Sequence, residues 1–297
     1  MNKKYLLLLM AALFMVLLAA CGGSDAEDEG TDNAETENTD SSSGDSAEGE
    51  GTSLEGTITM AGSTSVQPLS EELAAAFMDI HPDTRLEVSG GGSGAGVTAA
   101  QSNAADFGAV SREIKEEETG IEAVVIAIDG IAIIAHPDNP VADIALEDVS
   151  KIFSGEVTNW SEVGGDDQDI VVVSREEGSG TRGAFTDIVL DGEDTLVESA
   201  LIHNSTGGVL EAVASDPNAI GYASTGSMSD SVKGLAVDGV EPTDENIKSG
   251  DYKVSRPFNY VTNEDEELSE LAQAFLDFVL SEEGQSVVED NGFISVN

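Results

Sequence analysis

Three short stretches of this chain carry residue types that could hold an anion. They are Gly62-Ser63-Thr64-Ser65, the glycine-rich run 90–96 with Ser93 at its centre, and Gly178-Ser179-Gly180-Thr181. Each follows an apolar run and precedes a helical pattern. A helix N-terminus offers N–H groups without intrahelical partners and a partial positive charge. Glycine lets a ligand approach the backbone, and hydroxyls add donors, so the combination suits a tetrahedral oxyanion. A single loop of this kind is ordinarily a helix cap. Thr64 and Gln67 fit a capping box, and Pro68 is tolerated in a first turn. Three such loops in one chain carry more weight. Residues 56–297 contain five arginines, and three of them, Arg112, Arg175 and Arg182, stand in or beside Gly/Ser motifs. Guanidinium groups bind oxyanions through paired hydrogen bonds. Asp106, in Asp106-Phe107-Gly108, repels an anion but accepts a hydrogen bond from a protonated one; it reads either as such an acceptor or as a strand-edge cap.

The elements that must position these residues alternate between strand and helix, the pattern of an α/β fold. Residues 57–60 read as a strand. Val66, Leu69, Leu73, Phe77 and Ile80 recur at helical spacing. Residues 86–88 and 107–110 read as strands, and a helix opens near Val97. The apolar run 124–135, interrupted by Asp129-Gly130, reads as two strands or a crossover. A short helix follows around Leu146–Phe153. Residues 170–173 form a continuous apolar strand of the kind buried in a parallel sheet. Helices are expected over 184–190, 209–214 and 268–279, with strands over 220–223 and 258–262.

Charge excludes whole classes of function. The 297 residues hold 58 acids and 12 bases, a net charge of −46. A nucleic-acid binder that works by charge needs a basic patch, and so does a basic face docking on anionic lipid. The single cysteine excludes a disulfide scaffold and any multi-cysteine metal site. The three histidines, His81, His136 and His203, show no spacing for a metal triad, and no cofactor is implied.

The N-terminus reads as an address. Lys3 and Lys4 precede an apolar run from Tyr5 to Ala20, too short for a spanning helix of about 20 residues. Leu18-Ala19-Ala20-Cys21 resembles a bacterial lipobox, which implies a signal peptide over 1–20 and lipidation of Cys21. Residues 21–55 read as an acidic tether with almost no apolar side chains, unable to offset its ordering entropy. Twelve acids and two bases lie before residue 56, which leaves 56–297 a net charge of −36. Self-repulsion of that size is relieved by salt, so a salt-loving source is expected.

The segments Ala61-Gly62-Ser63-Thr64-Ser65-Val66-Gln67-Pro68-Leu69, Gly92-Ser93-Gly94-Ala95-Gly96, Ala105-Asp106-Phe107-Gly108 and Arg175-Glu176-Glu177-Gly178-Ser179-Gly180-Thr181-Arg182 resemble the PstS-type phosphate-binding proteins of ABC phosphate importers. Thr158-Asn159-Trp160, Ser281-Glu282-Glu283-Gly284-Gln285 and Asn291-Gly292-Phe293 are similar to that family as well. The resemblance implies a two-lobed, Venus-flytrap binding protein of the type II periplasmic class, with one lobe at 56–132 and 256–297, the other at 133–255, and phosphate in the cleft. It implies donors at Thr64, Ser65 (its backbone N–H), Ser93, Ser179, Gly180 and Thr181. Arg175 would pair with the anion and be oriented by Glu177, and Asp106 would accept the phosphate proton. Arg112 is expected either in a rim salt bridge or against the ligand. The implied partners are inorganic phosphate, a membrane permease and, through lipid, the membrane itself; the protein is expected to be a monomer on the extracytoplasmic face of the cell membrane.

Other readings stay open on the residues alone. The same fold could take sulfate, molybdate or another oxyanion, or serve as a phosphate sensor or adhesin. An enzyme such as a phosphatase fits less well: Ala95 breaks the nucleophile-elbow pattern around Ser93, and no Gly-x-x-x-x-Gly-Lys loop exists.

Overall fold

The computed structural model describes residues 54–193 and 195–297. The expected leader, Cys21 and nearly all of the tether lie outside the described residues.

Among the described residues, eleven strands and eight α-helices follow one another. The strands are β1 (Gly56–Gly62), β2 (Thr84–Gly90), β3 (Phe107–Val110), β4 (Ile121–Ala135), β5 (Asp143–Ile144), β6 (Val171–Arg175), β7 (Leu201–His203), β8 (Ala219–Ser224), β9 (Lys233–Gly234), β10 (Ala236–Val237) and β11 (Ser255–Asn263). The helices are α1 (Gln67–Ile80), α2 (Ser93–Gln101), α3 (Leu146–Ser154), α4 (Gly180–Val189), α5 (Thr206–Ser215), α6 (Asp244–Ser249), α7 (Glu270–Leu280) and α8 (Glu282–Asp290). The strand order is β2-β1-β3-β11-β4-β8-β6-β7, with β9 beside β4. Strands β1, β2 and β3 run parallel, as do β6, β7 and β8. Between these two groups β11 and β4 run antiparallel.

The fold is mixed α/β with two lobes, and the two cores follow from the apolar patterning. One packs Ile58 and Met60 of β1, Leu69, Leu73 and Phe77 of α1, and Phe275 of α7 around Phe107, Phe258 and Tyr260. The other packs Ile131 and Ile133 of β4 with Val149, Phe153, Trp160, Phe185 and Tyr222. In the second core Phe185 and Tyr222 stack with ring centroids 4.1 Å apart. The run 124–135, expected as two strands or a crossover, is the single 15-residue strand β4. Nine of its first ten residues pair with β11, the register shifting at Ile126, and residues 131–135 pair with β8. Asp129-Gly130 marks the point of exchange between partners, and not a turn.

That exchange point carries a buried ion pair. Arg256 of β11 stands opposite Asp129 of β4 in the ladder. Its Nε and Nη2 donate to Asp129 Oδ2 at 3.1 and 2.8 Å, and its Nη1 donates to the Ser111 carbonyl at 3.0 Å. Asp129 Oδ1 accepts from the hydroxyls of Ser224 (2.8 Å) and Thr225 (3.2 Å). Burial pushes the carboxyl up and the guanidinium down, and the partner's charge and hydrogen bonds oppose both shifts. Removing one member leaves the other buried without its counter-charge. Asp129→Asn is therefore expected to lower stability by about 3–5 kcal/mol, read from the urea midpoint; a loss below about 1 kcal/mol would mean that water or a rearrangement compensates Arg256.

Candidate functional site

Five strands release their chain at one place. β1 ends at Gly62 and leads through Ser63, Thr64 and Ser65 into α1. β2 ends at Gly90 and leads into α2, whose first residue is Ser93. β3 ends at Val110, followed by Ser111. β6 ends at Arg175, just before α4, and β7 ends at His203, just before α5. In open α/β sheets the carboxyl ends of parallel strands are where ligands bind. Gly62 is required at the first exit: its φ is +141°, and a Cβ there would collide with the Ala109 carbonyl.

The side chains delivered to this place are polar and almost wholly enclosed. Ser65, Ser93 and Ser111 are 0% exposed, Arg175 2%, Thr181 2% and Thr206 4%. Ser65 Oγ lies 2.8 Å from Thr181 Oγ1 and 2.9 Å from Thr206 Oγ1. Arg175 Nη2 donates to Thr64 Oγ1 at 3.2 Å and Nη1 to Thr206 Oγ1 at 3.3 Å. Ser63 Oγ donates to Ser111 Oγ at 2.8 Å, and the Ser111 N–H donates to Ser93 Oγ at 3.0 Å. Ser179 caps α4, accepting from the Arg182 N–H at 3.2 Å. The two lobes touch here: the Gly94 N–H donates to the Gly178 carbonyl at 3.1 Å. A Cβ on Gly180 would overlap Ser93 Oγ, so the start of α4 closes on the start of α2 only because residue 180 is glycine.

The structure thus brings together Thr64, Ser65, Ser93, Arg175, Ser179, Gly180 and Thr181. It adds Ser63, Ser111 and Thr206, which the sequence reading did not single out as ligands. Thr206 had a signal: Ser205-Thr206-Gly207-Gly208 repeats the hydroxyl–glycine helix start of the other three loops, and Ser205 accepts from the Gly208 N–H as the cap of α5. Ser111 had none, because its place depends on where β3 ends relative to α2.

Three expectations are corrected, and Arg112 stands in a salt bridge, one of its two expected places. Asp106 is not in the cluster. It stands exposed at the entry of β3, where its Oδ2 accepts from the Thr59 N–H and hydroxyl, both at 2.8 Å. The cluster gathers at strand exits, and the four residues of β3 at about 3.3 Å each keep Asp106 well away from it. Its alternative reading, a strand-edge cap, describes it. Glu177 does not orient Arg175; it is exposed, and its neighbour Glu176 takes that role, with Oε2 accepting from Nε at 2.9 Å and Oε1 from Nη2 at 3.0 Å. Arg112 pairs through both terminal nitrogens with Glu118, at 2.8 and 2.6 Å, and packs against Gly183. Burial raises the Glu118 carboxyl, but Arg112 and Lys115 together hold it below its usual value. The capping box at Thr64 does not form; Ser63 Oγ accepts from the Ser65 and Val66 N–H groups instead, and the Thr64 hydroxyl is engaged by Arg175.

Tyr222 stands behind the site, its hydroxyl 2.8 Å from Ser174 Oγ. Burial pushes that phenol up to about 12, so it is a neutral hydroxyl there. Among the described residues no group of His, Cys, Asp and Glu could hold a metal, and no helix is long and apolar enough to cross a membrane. The arrangement is a set of hydrogen-bond donors around one buried guanidinium, which suits reversible anion binding.

Comparison with known proteins agrees with this geometry. Residues 34–283 match the PBP superfamily domain. The chain is 36% identical to the phosphate-binding protein PstS of Bacillus subtilis (strain 168), with 99% of this chain and 94% of that one covered. Among solved structures, a putative phosphate ABC transporter substrate-binding protein with bound phosphate from Clostridium perfringens superposes with a TM-score of 0.79 at 44% identity, covering 82% of this chain and 100% of the other. An ABC-type phosphate transport receptor from Vibrio cholerae superposes with a TM-score of 0.68 at 34% identity, covering 81% and 100%. By sequence, fold and the hydroxyl-lined junction around Arg175, the chain belongs to the PstS-type phosphate-binding proteins of the PBP superfamily.

Proposed function

We propose that this protein captures inorganic phosphate outside the cytoplasm and delivers it to an ABC permease. The observation that carries the reading is Arg175, a guanidinium 2% exposed, held by Glu176 and meeting hydroxyls from both lobes. Thr64, Ser65, Ser93, Ser179, Gly180, Thr181, Ser111 and Thr206 are the proposed donors around the anion. The lobes divide at 56–132 with 256–297, and at 133–255. The protein acts as a binder without turnover, since the cluster offers donors and no activated nucleophile.

The same reading includes the N-terminal segment: a signal peptide over 1–20, lipid on Cys21 and a tether to residue 55 that keeps the domain within reach of the membrane. A flexible chain of that length spans about 30 Å r.m.s.. More than one acyl chain is needed for a stable anchor. The net charge of −36 on residues 56–297 points to a saline habitat, and the protein works as a monomer.

Calorimetric titration of the full chain with phosphate tests the assignment. Arg175→Ala removes charge-assisted hydrogen bonds and leaves Glu176 unpaired, so affinity is expected to fall by about 30-fold or more. Asp106→Asn is expected to leave affinity within about twofold; a large loss would return Asp106 to the site. Phosphate approaches against the field of the whole domain, and salt screens that field more than it screens the enclosed contacts. Affinity should hold or rise between about 0.1 and 1 M potassium chloride. A steep fall would mean that the anion is held by exposed charge and not by the buried cluster.

A further inference from the structure

Strand β3 pairs with β1 on one side and β11 on the other, and its ladder with β11 ends at Val110, opposite Asn259. Ser111 and Arg112 lie just beyond that ladder, and both are buried. A buried carbonyl left without a partner costs about as much as a lost hydrogen bond, so theirs must be met from elsewhere. Two buried side chains of β11 meet them. Arg256 Nη1 donates to the Ser111 carbonyl at 3.0 Å, and Asn259 Nδ2 donates to the Arg112 carbonyl at 2.9 Å. The Ser111 N–H is taken up as well, by Ser93 Oγ at 3.0 Å. The main chain of this segment is thus tied at three points, two of them to one strand.

What the segment presents to the site depends on that hold. Ser111 Oγ accepts from Ser63 Oγ at 2.8 Å, beside the start of α1. It also lies 2.6 Å from where a Cβ on Gly180 would stand, and Arg112 Cδ lies 3.0 Å from where a Cβ on Gly183 would stand. Gly180 and Gly183 are three residues apart, so they share one face of α4. At those two positions the opposite lobe carries no side chain, and Ser111 and Arg112 occupy the space. A shift of the segment would move a hydroxyl of the cluster and spoil the fit to α4 together. Asn259 governs both through the main chain.

We infer that Asn259, with Arg256, is a positioning residue of the anion site: from β11 it fixes the carbonyls that follow β3, and so presets Ser111 and the fit of α4 before a ligand arrives. The inference rests on the phosphate reading given above. Groups held in place beforehand carry little ordering cost at binding, so loss of the hold shows in affinity as well as in stability.

The test compares phosphate calorimetry and urea midpoints of the full chain across two variants of the same strand. Asn259→Leu keeps the branched shape of the side chain and removes the donor to Arg112. It is expected to weaken phosphate by about tenfold, the size of one buried hydrogen bond. Tyr260→Phe is the control: it removes another buried hydrogen bond one residue along β11, between the Tyr260 hydroxyl and Ser70 Oγ at 2.8 Å, within the core behind α1. It is expected to lower the urea midpoint and leave phosphate affinity within about twofold. An Asn259→Leu protein that loses stability but keeps affinity within about twofold, as the control does, overturns the inference and leaves the phosphate reading standing. Absence of phosphate heat from the unaltered chain overturns both. If Asn259→Leu does not fold, amide hydrogen exchange of the unaltered chain without phosphate, read by NMR, decides. The Ser111 amide is expected to be protected to within about tenfold of the Tyr260 amide in the ladder. Weaker protection at Ser111 means the segment is not preset, and the inference falls.

Discussion

A domain with 36 excess negative charges can hold an anion only where its field is locally reversed. Everything around Arg175 follows from that constraint. The guanidinium is withdrawn from water, where its charge is felt most strongly, and Glu176 fixes its plane without exhausting its donors. Helix starts of both lobes supply further N–H groups at the same spot. The acids are spread over the surface, where water and ions attenuate them. The distribution separates a long-range repulsion from a short-range attraction, and the second acts only inside a shell a few ångströms across.

The loops were legible in the sequence because their signal is local. A glycine and a hydroxyl ahead of a helical pattern describe α1, α2 and α4 without knowledge of the rest of the chain, and the alternation of apolar runs described the α/β fold. What was not legible depends on distances that sequence order does not set. Asp106 and Ser111 are five residues apart, yet they stand at opposite ends of one strand, and only the strand's direction tells which end faces the hydroxyl cluster. Glu176 and Glu177 are identical in type and adjacent; the geometry of the turn after β6 selects the first. At Thr64 a local rule lost to a tertiary one. The capping box satisfies a helix end, but Ser63 already does so, and the Thr64 hydroxyl is engaged by Arg175 and the Thr206 N–H.

The Asp129–Arg256 pair connects this site to the sheet. Arg256 holds the Ser111 carbonyl in one lobe, while Asp129 holds Ser224 and Thr225 at the end of β8 in the other. A buried ion pair is weak evidence for stability, because desolvation offsets much of its attraction. Its value here lies in register. The two charges meet only when β4 and β11 are aligned as observed, and that alignment sets where β3 ends and where Ser111 presents its hydroxyl.

The ladder between β4 and β11 has one more consequence. Among the described residues the chain passes between the two cores along these two strands and again at Phe293-Ile294, and the strands remain hydrogen-bonded through the passage, with the Ile131 N–H donating to the Val254 carbonyl at 2.8 Å. A two-stranded ribbon resists shear in its own plane and yields to flexion across it. Any parting of the lobes would therefore have to follow one arc, like a book on its spine, and a partner reading the outer faces of both lobes would meet a single angular coordinate instead of a continuum of poses.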